Sequence, residues 1–163
     1  MITLYHGSNV LIEKIDLALC NPYKDFGQAF YLTADKAQAT DVANARVDIF
    51  GGEPVVNEFR FDETLLSDGT LSFRSFDAYT EDWADFVYQH RDETKVPPYM
   101  HDYDVVYGPI ANDRVGLQIR NYRLGNISKK EFLRRLKYMK GITFQYAFCT
   151  PRAVEKLLRH ESK

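Results

Sequence analysis

Glycines, prolines and helix-capping residues cut this 163-residue chain into short runs, none able to build more than a short strand or a modest helix. No apolar stretch approaches the ~18 residues needed to span a bilayer. Residues 2–6 alternate apolar and polar and read as a first strand closed by Gly7. Residues 29–33 read as a short, ring-rich second strand entered through Gly27. Thr33 then reads as the N-cap of a helix over 34–48, with Asp35 in its first turn and Gly51-Gly52 as the stop. Residues 55–61 make a third strand. Thr80, Glu81 and Asp82 open a second helix whose Trp83, Phe86 and Val87 share one face.

Residues 104–107 predict a strand broken by Gly108-Pro109, followed by a helix over 113–122. Ser128 and Glu131 have the spacing of a capping box, in which hydroxyl and carboxylate each satisfy a free amide. Behind them Phe132, Leu133, Leu136 and Met139 form an apolar stripe, stopped by Gly141. Residues 142–149 are the last predicted strand, and Thr150-Pro151 starts the last helix. Without repeats or linker-like runs, the whole span 1–163 reads as one α+β domain. Its length suits that reading, since domains run ~100–200 residues.

Composition adds two constraints. The chain holds 11 Tyr, 11 Phe and 1 Trp, an aromatic content that favours strands and stacking surfaces. The net charge of −2 conceals a split. Residues 1–112 carry 8 Lys and Arg against 19 Asp and Glu, whereas residues 113–163 carry 13 against 4. A basic C-terminal third attracts nucleotides, nucleic acid or acidic proteins, unless the two halves neutralise each other by packing. Cys20 and Cys149 stand apart and read as reduced thiols. With no basic leader before an apolar run, the expectation is a cytoplasmic protein without membrane contact.

The sequence has no phosphate-binding Gly-Lys-Ser/Thr loop, no Gly-x-Gly-x-x-Gly turn and no Gly-x-Ser-x-Gly elbow. The four histidines lack paired metal spacing, and His101-Asp102-Tyr103-Asp104 reads as a solvated loop rather than a ligand cluster. Asn112-Asp113-Arg114 reads as the start of a helix. Three polar-aromatic motifs remain. They are Tyr5-His6-Gly7-Ser8, the run from Asp25-Phe26-Gly27 to Tyr31-Leu32-Thr33, and the run Thr143-Phe144-Gln145-Tyr146-Ala147-Phe148-Cys149-Thr150. Glycine after a strand histidine permits close backbone approach of a flat ligand beside an imidazole.

In that order and spacing, the three motifs resemble the ADP-ribosyltransferase superfamily, in its His-Tyr-Glu branch of poly(ADP-ribose) polymerases and diphtheria toxin. More narrowly the chain is similar to a bacterial family of small uncharacterised proteins in that superfamily. That narrower likeness adds the run from Tyr103 to Asp113. The resemblance implies an α+β fold of two small facing sheets around an NAD cleft. It implies that His6 bonds the adenosine-side ribose, Gly7 offers its backbone to the nicotinamide carboxamide, Ser8 edges the pocket and Tyr31 stacks on the nicotinamide ring. Gln145 stands where active members usually carry glutamate, so the implied catalytic set is His6, Tyr31 and Gln145. Where the polymerases carry a serine and a second tyrosine, this chain has Ala39 and Val42.

NAD is thus expected as substrate, with one ADP-ribose passing to a macromolecular acceptor and nicotinamide released. Small members often act as toxins paired with an antitoxin, which supplies an expected protein partner. The neutral Gln145 brings no charge to the developing oxocarbenium, and losing one such stabiliser costs on the order of 10²–10³ in rate. A second class therefore stands beside the first: a non-enzymatic module holding NAD, ADP-ribose or a related nucleotide. A third, a nucleic-acid-directed enzyme, draws on Tyr122, Phe132 and Tyr138 within the basic segment. The spacing of Phe132 and Leu136 assigns that helix to core packing instead.

Overall fold

The computed structural model describes residues 1–160. Its first half contains β1 (Ile2–Ser8), β2 (Phe30–Leu32), α1 (Lys36–Phe50), β3 (Val55–Phe61), β4 (Phe73–Ser75) and α2 (Glu81–Arg91). The second half contains β5 (Val105–Pro109), α3 (Asp113–Arg123), α4 (Lys129–Lys137), β6 (Phe144–Phe148), α5 (Pro151–Val154) and β7 (Leu158–Arg159). This is an α+β architecture with two small sheets, ordered β1-β3-β7 and β2-β6-β5-β4. All pairings are antiparallel except β4 on β5. One isolated bridge, Tyr5 to Thr33, joins the sheets.

Strand alternation sorts the apolar residues into two cores. Leu4, Phe59 and Phe61 of the first sheet meet Phe30, Leu32, Val105 and Phe148 of the second. Edge-to-face pairs Phe61–Phe148 and Phe30–Phe59, with centroids 5.0 and 5.6 Å apart, fix the contact. The other face of the second sheet, through Val106 and Ala147, packs on Trp83 and Val87 of α2, Val115 and Ile119 of α3, and Phe132 and Leu136 of α4. Helix α1 covers β1 with two small buried residues, Ala39 and Ala43.

Gly7 does not close β1 as its sequence position suggests. The strand runs on to Ser8 with Gly7 paired to Val56. The glycine is needed because α1 crosses there: a Cβ on Gly7 would lie 2.0 Å from the Ala39 carbonyl oxygen. Likewise Gly108 and Pro109 do not break β5 but continue it, opposite Gln145 and Phe144.

Helix α1 starts later than expected, capped by Asp35 rather than Thr33. Asp35 accepts from the Ala37 and Gln38 amides, while Thr33 is held extended by two backbone bonds to Tyr5. Only half of the expected capping box forms. Ser128 accepts the Glu131 amide, but the Glu131 carboxylate turns to Arg134 and Arg135. Those three hydrogen bonds, charge-assisted and so stronger than one to a neutral amide, hold its pKa at about 2. Strands β4 and β7, of three and two residues, are too short to carry a readable alternation. Among the described residues no helix is long and apolar enough to cross a membrane.

Candidate functional site

Of the predicted site residues, His6, Gly7 and Tyr31 meet where β1 and β2 part, Gln145 lies on β6 next to β2, and Ser8 turns away. In an antiparallel ladder, backbone groups of successive residues alternate between the two sides of the strand. Tyr5 gives its N–H and C=O to Thr33, at 2.7 and 2.9 Å, so these groups point away from β3. Gly7, two residues on, turns its peptide groups the same way. Continued register would bring Gly7 opposite Tyr31, yet the pairing stops at Tyr5. The Tyr31 carbonyl instead accepts from His6 Nδ1 at 2.8 Å. The outcome is a gap in the ladder: among the described residues no backbone bond joins Gly7 to β2.

Tyr31 and Gln145 share a face of the second sheet. Tyr31 pairs with Ala147 on β6, and Gln145 lies two residues further along the same strand. The Tyr31 ring is clamped at its far end: the hydroxyl donates to the Gly27 carbonyl at 2.8 Å and accepts the Phe26 amide at 3.0 Å. Burial first, then the nearby Asp25 charge, pushes this phenol well above its ordinary pKa. It stays neutral throughout the physiological range.

His6 turns to the opposite face, stacked on Phe30 with centroids 4.3 Å apart and planes 29° from parallel. A carbonyl only accepts, so Nδ1 carries the proton in that bond to Tyr31. Nε2 is left as an acceptor that has no hydrogen-bond partner among the described residues. Burial lowers the His6 pKa against the pull of the Tyr31 bond, and the Arg46 guanidinium on α1 lowers it further. Ser8 does not edge the gap with its hydroxyl. It is buried, and its Oγ accepts the Val10 amide at 3.3 Å in the turn after β1.

Two residues that sequence reasoning missed complete the arrangement. Asp25, 5% exposed, takes the Nε and Nη2 of Arg91 on Oδ1, both at 2.6 Å. Its Oδ2 takes the Ala111 amide at 3.0 Å and Gln145 Nε2 at 3.2 Å. Asp25 heads the second polar-aromatic motif, and its signal is that of a polar residue placed just before a ring-rich strand. Arg91, 66 positions away at the end of α2, carries no local signal.

The remaining expectations resolve as follows. Ala39 is buried beneath Gly7, and Val42 is 45% exposed. Asn112 caps α3 by accepting the Val115 amide at 3.0 Å, so that segment is a helix start. The 101–104 segment is anchored rather than solvated. His101 Nε2 donates to the Phe26 carbonyl at 2.9 Å, and Asp104, 4% exposed, binds Arg152, Thr150 and Ser72. Burial alone would raise Asp104, but those three partners outweigh it and hold its pKa at about 2. Among the described residues no group of His, Cys, Asp and Glu suits a metal ion. Phe132 and Leu136 are buried, and Phe132 stacks on Tyr122 with centroids 5.0 Å apart, so these two rings of the basic segment serve the core, whereas Tyr138 is exposed. A separate groove of about 700 Å³ lies beside α2, edged by Arg74, Asp85, Tyr99 and His101. It includes none of the predicted set.

The chain belongs to the family described as Protein of unknown function (DUF3990), whose model matches residues 2–159. No curated protein and no solved structure matches it.

Proposed function

We propose that the chain has an ADP-ribosyltransferase-like fold, binds NAD where its two sheets meet, and transfers one ADP-ribose to a macromolecular acceptor. The observation that carries this reading is the gap between Gly7 and Tyr31 with Gln145 beside it. The Gly7 peptide edge offers one donor and one acceptor, the complement of a primary carboxamide. The clamped Tyr31 ring provides a stacking surface, worth roughly 0.5–1.5 kcal/mol beyond buried area. His6 Nε2 and Gln145 Oε1, which have no hydrogen-bond partner among the described residues, are the acceptors for ribose hydroxyls. In the reaction the C1′–N bond breaks and nicotinamide leaves with the bonding pair. An acceptor nucleophile then adds to C1′ and loses its proton.

Gln145 orients a ribose hydroxyl without supplying charge, so turnover is slow compared with a glutamate-bearing site. One observation favours a second reading, a binding module without chemistry. The carboxylate nearest Gln145 is Asp25, and both its oxygens are already occupied. Incubating purified protein with NAD labelled in the adenine moiety and with cell lysate separates the two. Label on a macromolecule with nicotinamide release supports transfer; saturable NAD binding without release supports the module; neither overturns both. The same labelled product identifies the acceptor, and co-purification of a neighbouring small protein tests an antitoxin partner.

A further inference from the structure

A carboxylate has no hydrogen-bond donor, so only the NH₂ end of an amide can face it. The Gln145 amide is therefore oriented by Asp25: Nε2 points at Oδ2, and Oε1 is turned from it, without a hydrogen-bond partner among the described residues. Asp25 cannot swing away to release it. Its Oδ1 is held by the Arg91 fork and its Oδ2 by the Ala111 amide. With three hydrogen bonds already accepted and the Arg91 ion pair besides, Asp25 has no room for a ligand of its own. It acts only through Gln145.

We infer that Asp25 is the positioning residue that fixes the Gln145 amide, holding Nε2 to itself and turning Oε1 away as a hydrogen-bond acceptor. A hydroxyl-bearing group such as a ribose diol complements Oε1, whereas phosphate or carboxylate oxygens, which only accept, do not. The inference rests on the reading of Gln145 as a site residue. It also overturns the simplest expectation for a glutamate here, that restoring the acid restores a charge. A carboxylate at position 145 would face Asp25 Oδ2, and two carboxylates at that distance do not both ionise readily. The Arg91 fork sits on Oδ1 and does not bridge the new pair. The other titratable groups coupled to Asp25 here are the Tyr31 and Tyr79 phenols, both pushed up by burial and neutral. The introduced carboxyl is thus expected to hold its proton, donate it to Asp25 and leave a carbonyl outward, mimicking the native amide.

The test is Gln145→Glu with ¹³C-labelled glutamate side chains, titrated by NMR alongside nicotinamide release. The expected carboxyl midpoint lies well above the ordinary glutamate value of ~4.3. Nicotinamide release by the variant should climb with pH through that same midpoint, by up to ~10²–10³ as the charge appears. Wild type should show no step there. Adding Asp25→Asn should move the midpoint down, because the like charge is gone and Arg91 is freed. Where that double variant does not fold, the single variant decides the matter alone. A midpoint at or below the ordinary value overturns the positioning role, even if NAD is turned over. A raised midpoint without any NAD turnover or binding supports the positioning role while the functional reading falls.

Discussion

His6 Nδ1 donates to the Tyr31 carbonyl at 2.8 Å, so one hydrogen bond both fixes the imidazole tautomer and props open the strand pair at its parting point. His6→Ala therefore removes more than a ligand contact. It also loses stacking on Phe30 and leaves the Tyr31 carbonyl unpaired. The expected result is loss of most NAD affinity together with about 1–2 kcal/mol of stability. Calorimetry and urea melts read the two effects separately. Full affinity in a destabilised variant would make His6 structural only.

Tyr31 divides its work between ring and hydroxyl, and two substitutions separate them. Tyr31→Phe keeps the stacking surface but strands the Phe26 amide and the Gly27 carbonyl. It should cost about 1–3 kcal/mol while retaining NAD binding. Tyr31→Ala should lose binding as well. Tyr5→Ala should lose far less, since the Tyr5 ring sits under Lys36 on the α1 side. Equal NAD affinities across all three variants and wild type would remove Tyr31 from the site.

How much of the molecule is legible in its sequence depends on range. Strand 55–61, the Thr80 cap on α2 and the Thr150-Pro151 start are set by neighbours within a few residues, and all three form as read. Gly7 and Gly108 look like strand breakers locally. Each is inside a strand because a distant element, α1 or Phe26, presses on it. The same limit applies to the site. The motif residues are visible in sequence, but that Gln145 meets Asp25 across 120 positions and Arg91 closes the cluster depends on tertiary packing.

His90 makes stability sensitive to acid. It is 1% exposed, its Nδ1 bonds the Phe86 carbonyl, and its Nε2 has no partner. Burial, aided by His101, lowers its pKa from 6.5 to about 4, against the pull of the Phe86 bond. A histidine depressed in the folded state lets the unfolded chain take up the proton first. Stability is then whole above pH 6.5 and falls until about pH 4, by about 3 kcal/mol. Urea melts between about pH 7.5 and about pH 4 should show this limb, and His90→Leu should flatten it. An unchanged limb in that variant would assign the effect to other groups.

Gly7→Ala gives the strictest test of the site's construction. The added methyl would lie 2.0 Å from the Ala39 carbonyl oxygen and 2.7 Å from the Ala43 nitrogen. Both are helix backbone atoms, so no side-chain rotation relieves the clash; α1 must move off β1 or the strand must bend. Overpacking a core typically costs about 1–3 kcal/mol, and a rigid-body shift of a 15-residue helix belongs at or beyond the upper end, about 3 kcal/mol. Moving α1 also displaces the Gly7 peptide edge, so NAD affinity should fall by more than the loss of folded protein explains. A double variant pinpoints the cause. Adding Ala39→Gly removes a side chain but not the offending carbonyl, and should therefore fail to rescue either property. Rescue by Ala39→Gly would mean that α1 rides on β1 through side chains, and the close backbone approach described for Gly7 would be wrong.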